Sequence, residues 1–403
     1  MRTRHLLAAA VAGASLAAVV AWTMPAAAGA PVSANVPTAG TAKFAHLDHV
    51  FVIMMENTSY DDLLDPGNTN TQFIQSLANN DALGTNYFGV THTSLPNYVA
   101  ATSGNTWGSN ADDEAQADQG YFNHTSLFDQ LNQAGVSWTG YMESMPTAGY
   151  TGNFGDCTSA SGSDPTCTGL TSAGKSDTGT ALYTRKHDPF MQYPDIFGDP
   201  SQAANVVPLT QLTSDLSSGH VSQFVWISPN SCNDMHGGPP QCPYADSPND
   251  ANQQALYQDG DTFLKTWVTA IMQSKAWNGH SAIFVTWDEG GYESSAPFGP
   301  EDNSACSASS SGVGGTCDSP VLPASPVNPV TGGGGDLAGG TLYGGGHVPM
   351  IVVQRGGLTG ASDGTATNHY SLLQTIEQNW NLPFLGNASD TIQVQSLAGL
   401  LKH

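Results

Sequence analysis

Two pairs of polar residues that can bind a metal ion stand directly after apolar segments of the sequence. Glu56 and Asn57 follow FVIMM, and Asp288 and Glu289 follow FVTW. Carboxylate and amide oxygens of this kind are ligands for hard or borderline divalent cations. Either pair alone would more often lie in a loop or cap a helix. A metal site therefore requires that the fold bring the two pairs together.

A third apolar segment, FVWI, is followed by a loop that carries Asp234 and His236. An imidazole titrates in the range needed to protonate a leaving oxygen, and a neighbouring carboxylate can orient it. We therefore expect His236 to act as a general acid, with Asp234 in the same site. A purely structural histidine is the alternative.

The segment THTSLPNYVAATSG, residues 91–104, places a hydroxyl group at the predicted start of a helix. Proline is favoured in the first turn of helices, so Pro96 predicts that Ser94 lies at the positive end of the helix dipole. Ser94 could act there as a nucleophile whose target is held by helix amides, with Asn97 donating a further hydrogen bond. The alternative is a serine that only caps the helix. The pattern G-x-S-x-G does not occur at Ser94, which argues against an esterase-type elbow.

The positions of these groups depend on an alternation of strands and helices. Strands that are apolar on both faces and alternate with amphipathic helices indicate a mostly parallel sheet covered by helices on both faces. In such α/β sheets ligands bind at the carboxyl ends of the strands, so all of these polar groups should meet at one edge. The predicted strands are 49–55, 136–142, 221–227, 281–287 and 347–354, and the predicted helices are 126–135, 208–219, 251–277 and 369–380.

The N-terminal segment has the features of a secretory signal peptide. Arg2 and Arg4 precede an apolar, alanine-rich stretch that runs into the small-residue sequence PAAAGA, which is the order found in cleaved signals. We expect residues 1–30 to be removed on export, residues 31–45 to form a linker, and residues 46–403 to form a single α/β domain. An uncleaved anchor is the alternative, but the apolar stretch is short and the small-residue site follows at once.

The protein is strongly acidic, with 34 Asp and Glu against 10 Lys and Arg and a formal net charge of −24. A field of this sign repels nucleic acids and anionic membrane surfaces, so neither is an expected partner. An acidic surface also keeps an extracellular protein in solution. An anionic substrate would have to be held by a metal, histidines or backbone amides rather than by an arginine cluster.

The six cysteines fall into three closely spaced pairs, and each pair flanks a stretch rich in Gly, Ser or Pro. An exported protein forms disulfides, and local pairing is the simplest of the arrangements that six cysteines allow. A thiolate metal site is less favoured because no C-x-x-C spacing occurs. We expect disulfide-stapled loop insertions around the site, closed by Cys157–Cys167, Cys232–Cys242 and Cys306–Cys317.

Four motifs in this order, HVFVIMMENTSYDDLL, HTSLPNYVAATSG, TRKHDPF and FVTWDEGG, resemble a family of secreted phosphoesterases. That family contains bacterial acid phosphatases and phospholipases C and lies in the alkaline-phosphatase-like superfamily. The resemblance covers the chain from about residue 47 to residue 385, and the order and spacing of four motifs make it specific. It implies an alkaline-phosphatase-like fold and a metal-dependent phosphoric ester hydrolase.

The resemblance also implies which residues bind the metal ion. In the family it is held by a Glu-Asn pair after the first strand, by the nucleophile and by an acidic pair after a late strand. Related nucleotide phosphodiesterases place a threonine nucleophile before a Phe-Pro-Asn run, which favours Ser94 over Thr93. Some members have two aspartates where this chain has Asp288-Glu289, so the ion could be Ca, Zn, Mg, Mn or Fe. The corresponding metal ligands here are Glu56, Asn57, Ser94, Asp288 and Glu289.

Positive groups are needed to meet the charge of a transferring phosphoryl group. The densest basic run is Arg185-Lys186-His187, which matches a basic-His-x-Pro motif of the family. We predict that Lys186 and His187 bind phosphate; a solvated surface is the alternative for Arg185 and Lys186. His92 and His347 are candidates for the same task or for structural roles.

The predicted function is a secreted, metal-dependent acid phosphatase that acts on small phosphate esters. Metal coordination would favour the serine alkoxide, attack on phosphorus would give a phosphoserine, and water would hydrolyse that intermediate. A phospholipase C acting on diesters is the alternative within the family, and for choline lipids it would need an aromatic cage. A non-catalytic protein that binds calcium structurally is a further alternative, but it would have no need of the Ser94 hydroxyl.

Overall fold

The apolar runs of the sequence form strands, and the amphipathic segments between them form helices. The computed structural model describes residues 42–91, 93–109, 112, 115–157, 181–238, 242–243, 249–291, 306–307, 316–317 and 345–403. The strands are β1 (His49–Met55), β2 (Ala82–Phe88), β3 (Trp138–Met142), β4 (Phe154–Cys157), β5 (Ala181–Thr184), β6 (Val206–Pro208), β7 (Phe224–Ser228), β8 (Ser281–Trp287), β9 (Cys306–Ser307), β10 (Thr316–Cys317), β11 (His347–Gln354), β12 (Ala361–Asp363) and β13 (Thr367–Asn368). The α-helices are α1 (Tyr60–Leu64), α2 (Gln72–Asn80), α3 (Ser94–Ser103), α4 (Ala115–Asp118), α5 (Leu127–Ala134), α6 (Pro194–Phe197), α7 (Pro200–Ala203), α8 (Leu212–Ser218), α9 (Ala251–Gln273) and α10 (His369–Asn379).

The central sheet has nine strands in the order β12-β2-β11-β8-β1-β7-β3-β6, with β13 beside β2. β1 pairs in parallel with β7 and β8, and β3 pairs in parallel with β6 and β7. β11 runs antiparallel to both of its neighbours, β2 and β8. The predicted α/β class with a mostly parallel sheet is confirmed. Because β11 is reversed, its first residue lies at the edge where the parallel strands end.

The middle of the sheet forms the core that holds the site in place. Every residue of β8 is buried, as is every residue of β1 after His49. Strands buried on both faces read as continuous apolar runs, and for this reason the predicted bounds of β1, β8 and β11 agree with the structure. The long helix α9 ends at Gln273 and not at 277, because Ser274 adopts an extended conformation at the C-cap. The predicted helix 208–219 begins as a 3-10 turn and continues as α8.

Strand β2 and helix α2 are elements that the sequence analysis did not predict. β2 reads ALGTNYF, and its glycine and asparagine have low strand propensity. It is nevertheless a strand because β11, β12 and β13 all pair with it. Pairing over such long sequence distances leaves no local signal in the sequence.

Of the three predicted disulfides, Cys232–Cys242 is present in the structure. Cys306 and Cys317 are register partners of the short antiparallel ribbon β9–β10, and the bond between them stays a prediction. Cys167 lies outside the described residues, so its predicted bond to Cys157 also stays a prediction. Within the described residues, no helix combines the length and apolar character that crossing a membrane requires.

A pair of carboxyl groups on neighbouring helices predicts a pH dependence of stability. Burial, then a hydrogen bond with Asp129 and its charge, raise the pKa of Asp195 to about 7. An aspartate of an unfolded chain has a pKa of about 4. The stability contributed by the protonated pair is therefore complete below about pH 4 and is lost as the pH rises through about 7.

We expect wild type to lose about 1 kcal/mol more unfolding free energy than Asp195→Asn between about pH 5 and pH 8, the figure being small because the pair is solvent-screened. Urea unfolding at both pH values measures this difference. Asp199→Asn is the control, because a hydrogen bond from Ser201 lowers the pKa of Asp199 and keeps it ionised over this range. Equal losses in wild type and Asp195→Asn would contradict the prediction.

Candidate active site

Strands β1 and β8 deliver the first and last acidic pairs to the same edge of the sheet. Met55 and Trp287 are partners in the parallel register, so the residues that follow them leave the sheet side by side. Asn57 has a φ of 38°, in the left-handed region that asparagine tolerates better than most residues. Its backbone N–H donates to Asp288 Oδ1 at 3.1 Å. Glu56 and Asp288, which are both buried, therefore meet as the sequence predicted.

Ser94 is the first residue of α3, and its hydroxyl is directed at these acids. Ser94 Oγ donates to Glu56 Oε2 at 2.9 Å and also hydrogen-bonds to the side chain of Asp288. The N-cap of α3 is Thr93, so the alternative that Ser94 only caps the helix is wrong. A hydroxyl between two carboxylates at a helix N-terminus is placed for activation as a nucleophile.

The buried carboxylates of the site repel one another. Burial, followed by the charges of Asp288 and Asp234, raises the pKa of Glu56 well above its ordinary value. Burial and the charge of Glu289 likewise raise the pKa of Asp288. Buried acids in this arrangement are stabilised in their charged form by a nearby cation.

The oxygen atoms of the cluster converge as they do around a metal ion. The outer atom of the Asn57 amide lies 3.1 Å from Glu56 Oε2 and 3.1 Å from Glu289 Oε1. If this atom is nitrogen it donates to both acids, and if it is oxygen it completes a set of three oxygens suited to a cation. Asp288 Oδ2 is buried and has no hydrogen-bond partner among the described residues. These residues therefore fit the divalent ion that was predicted to bind here.

Two histidines lie on the opposite side of Glu56. His187 Nδ1 is 3.1 Å from Asp234 Oδ2, and His187 Nε2 is 3.4 Å from Glu56 Oε1. His236 Nδ1 contacts the carbonyl of Gly237 at 2.8 Å. Contacts at Nδ1 are the usual way in which an imidazole is oriented for work at Nε2. Ligand atoms of Glu56, His187 and His236 lie within 4.8 Å of one another, so this triad could also hold a metal ion.

Burial also determines the charge of these histidines. It lowers the pKa of His187 well below its ordinary value, and the charge of Lys186 lowers it further. Burial and Lys186 lower the pKa of His236 to about 4. Both imidazoles are therefore neutral near pH 7, and His236 gains its proton only in acid.

Tyr98 supports the site, although sequence reasoning did not assign it. Its hydroxyl donates to Glu56 Oε1 at 2.7 Å, and its ring stacks on His187 with centroids 5.7 Å apart. Tyr98 lies four residues after Ser94, and residues at this spacing share one face of a helix. That spacing is the signal that could have identified it.

The basic run of the sequence lies in the protein interior. Arg185 and Lys186 are 2% and 3% exposed, so the alternative of a solvated surface is wrong. Arg185 donates to the carbonyl of Met191 and to Asp118 Oδ1, which is a structural role. Lys186 Nζ donates to Asp112 Oδ2 at 2.7 Å. Sequence reasoning did not identify Asp112, because nothing in its neighbourhood of the sequence marks it as a partner of a residue so distant in the chain.

Asn97 has a different role from the predicted one. Its Nδ2 donates to the carbonyls of Thr91 and Thr93 at 2.6 and 3.0 Å. Its Oδ1 accepts from the backbone N–H groups of Val90 and Thr91. Because both amide hydrogens are used in these bonds, we reassign Asn97 from phosphate contact to positioning the loop before Ser94.

The remaining histidines are distributed around the site. His347 Nε2 lies 3.1 Å from the carbonyl of Thr85, and its ring stacks on Tyr60 with centroids 4.3 Å apart. These contacts favour the structural alternative for His347. His92 lies outside the described residues. His369, which had not been assigned to the site, donates from Nε2 to the carbonyl of Asp288 at 2.5 Å and so supports that residue.

The sequence is similar to those of several phosphatases. It is 24% identical to an acid phosphatase of Aspergillus fumigatus over 83% of this chain and 55% of the relative. It is 24% identical to a phosphate-repressible acid phosphatase of Penicillium chrysogenum over 84% of this chain and 60% of the relative. It is 28% identical to a phosphatidylinositol-3-phosphatase of Mycobacterium tuberculosis over 63% of this chain and 68% of the relative. The chain thus spans little more than half the length of the two fungal relatives.

Solved structures also match this chain over most of its length. Human ectonucleotide pyrophosphatase/phosphodiesterase 5 matches with 13% identity and a TM-score of 0.47, over 88% of this chain and 100% of that chain. A Vibrio parahaemolyticus protein of the alkaline phosphatase superfamily matches with 12% identity and a TM-score of 0.45, over 87% and 71%. The profile of the Phosphoesterase family matches residues 66–383, which is more than half of the chain and includes Ser94, Lys186 and Asp288. The protein belongs to the phosphoesterase family.

Proposed function

We propose that this protein is a metal-dependent phosphomonoesterase of the acid phosphatase type, exported by the signal peptide that its N-terminus predicts. The observation that carries the proposal is the Ser94 hydroxyl, held 2.9 Å from Glu56 Oε2 at the start of α3. A protein that binds calcium for structural reasons alone has no use for a hydroxyl in this position. The three relatives named above are all phosphatases by name, which supports the same choice.

In the proposed reaction, Ser94 Oγ attacks the phosphorus atom of the ester. The Oγ–P bond forms as the bond from phosphorus to the leaving oxygen breaks, and the serine proton passes to Glu56 Oε2. The raised pKa of Glu56, caused first by its burial, favours this transfer. A divalent cation bound by Glu56, Asn57, Ser94, Asp288 and Glu289 would supply the positive charge that favours the serine alkoxide and offsets the phosphoryl charge.

The other residues of the site serve the phosphoryl group and the leaving group. Lys186 and the first amides of α3 are the groups that can hold phosphoryl oxygens. His187, oriented by Asp234, faces the same space. His236 donates a proton to the leaving oxygen from Nε2, because its Nδ1 is held by Gly237. Water then attacks the phosphoserine, releases inorganic phosphate and restores the serine.

A phosphodiesterase of the phospholipase C type is the second candidate. A cavity of about 360 Å³ beside α1 is lined by Tyr60 and by Asp61, Asp62 and Asp65. An aromatic ring with nearby carboxylates is the chemistry that recognises a quaternary ammonium group. This cavity favours a choline ester over other diesters as the alternative substrate.

Hydrolysis of p-nitrophenyl phosphate and of p-nitrophenylphosphorylcholine, each with and without a chelator, tests the proposal. We expect about tenfold or more higher kcat/KM for the monoester, because the cation, Lys186 and helix amides meet a dianion better than a monoanion. Chelation should remove both activities, and single divalent ions added back should restore them. Higher turnover of the diester would favour the second candidate. Turnover of neither compound, or turnover that survives chelation, would contradict the proposal.

A further inference from the structure

A carboxylate that the proposed mechanism does not use lies beside the nucleophile. Asp112 Oδ1 accepts from the backbone N–H of Leu95 at 2.9 Å, and Asp112 Oδ2 accepts from Lys186 Nζ at 2.7 Å. Leu95 directly follows Ser94, so this N–H belongs to the first turn of α3. The Asp112 side chain is 15% exposed and that of Lys186 is 4% exposed. The carboxylate therefore bridges a helix amide and a buried lysine at the inner end of the site.

These two donors are the ones that a phosphoryl group on Ser94 requires. Amide N–H groups at a helix N-terminus bind phosphate oxygens, and a lysine meets phosphoryl charge. A carboxylate presents two anionic oxygens and can bridge such donors in the same way as two oxygens of a phosphate. The single N–H of Leu95 cannot be fully bonded to Asp112 and to phosphate at the same time.

The charge of Asp112 acts in the same direction as its hydrogen bonds. Burial favours the neutral acid, but Lys186 and the Leu95 amide hold the pKa of Asp112 below its ordinary value. An ionised carboxylate repels an incoming phosphate dianion at short range. A phosphate group that binds at Ser94 must therefore displace Asp112 from its donors or bind without them.

We infer that Asp112 is an internal competitor for the phosphoryl-binding donors of this site and so sets its affinity for inorganic phosphate. This inference rests on the proposed function, because it names a residue that limits product binding in the same site. When phosphate leaves, Asp112 returns to Leu95 and Lys186 and so favours product release. A residue that served only as a helix cap would hold α3 in place and would leave phosphate affinity unchanged or weaken it on removal.

Isothermal titration calorimetry of inorganic phosphate into the full chain, as purified and without chelator, tests this role. We expect Asp112→Ala to bind phosphate about tenfold more tightly than wild type, because a charge-assisted competitor is removed from both donors. Asp112→Asn, which keeps the shape but not the charge, should show a smaller increase. Asp118→Asn is the matched control, since Asp118 pairs with Arg185 and not with Lys186, and it should bind as wild type does.

Unchanged or weaker phosphate binding by Asp112→Ala would overturn the inference, as would the absence of binding by wild type and variant alike. If circular dichroism shows that Asp112→Ala is unfolded, Asp112→Asn decides by the same criterion. The readout is independent of turnover. Wild type that hydrolyses esters while Asp112→Ala binds phosphate no more tightly would overturn this inference alone. Tighter binding by the variant, with no ester hydrolysis by wild type, would overturn the proposed function alone.

Discussion

Ser94→Ala should lower kcat for p-nitrophenyl phosphate by about four orders of magnitude, because removal of a nucleophile leaves only the catalysis supplied by binding and electrostatics. The Ser94 hydroxyl is buried and donates to Glu56 Oε2 at 2.9 Å, so its removal takes away the attacking atom. Steady-state kinetics across a range of substrate concentrations measures the effect. KM should change far less than kcat, because the phosphoryl-binding donors of the site remain.

Ser103→Ala is the matched control for this prediction. Ser103 is the last residue of α3 and is also buried, but its hydroxyl donates to the carbonyl of Val99 at 2.9 Å. It lies three turns from the site, so the variant should keep kcat within a few-fold of wild type. If Ser94→Ala and Ser103→Ala both retain wild-type kcat, Ser94 is not the nucleophile and the proposed reaction is wrong.

Asp288→Asn should abolish turnover and, at the same time, leave the fold intact. An asparagine oxygen can still accept from the N–H groups of Asn57 and Glu289, which bond to Asp288 Oδ1 at 3.1 and 2.7 Å. The variant loses one of the negative charges that would hold a cation, and turnover should fall by about three orders of magnitude or more. Ser94 also loses one of the two acids to which it hydrogen-bonds.

The same substitution should not destabilise the metal-free protein. Burial and the charge of Glu289 raise the pKa of Asp288, which means that the ionised cluster opposes folding. We therefore expect metal-free Asp288→Asn to melt at or above the wild-type temperature. Addition of divalent ions should raise the melting temperature of wild type and have little effect on the variant.

Glu377→Gln is the control for Asp288→Asn. Glu377 is also a buried acid, but it lies in α10 and accepts from the backbone N–H of Leu385. This variant should retain both turnover and the metal-induced rise in melting temperature. An Asp288→Asn protein with near wild-type turnover, or with an undiminished response to metal, would remove Asp288 from the metal site.

The parts of the fold that were predictable share one physical feature. β1, β8 and β11 are buried along almost their whole length, and such strands leave continuous apolar runs in the sequence. The direction of β11 was not predictable, because parallel and antiparallel partners require the same apolar pattern. β2 was missed because its strand state depends on partners that are distant in the chain.

The candidate site divides in the same way. Glu56, Asp288 and Ser94 could be found because each follows an apolar run or precedes a helix proline, and strand ends of a parallel sheet meet at one edge. Their contacts in the structure are those expected of one site. The reassignment of Asn97 could not be foreseen, because an amide that donates to backbone carbonyls looks identical in sequence to one that binds phosphate.

The sequence by itself determined the fold class, the edge of the sheet that carries the site, and the acids and hydroxyl that meet there. It did so because apolar periodicity and the residues that end each run are local properties of the chain. The tertiary structure alone decided that Lys186 is buried, that Asp112 occupies it together with the Leu95 amide, and that Tyr98 holds Glu56. Charge pairing and burial are set by groups far apart in sequence, and only the folded chain brings such groups within a few ångströms of each other.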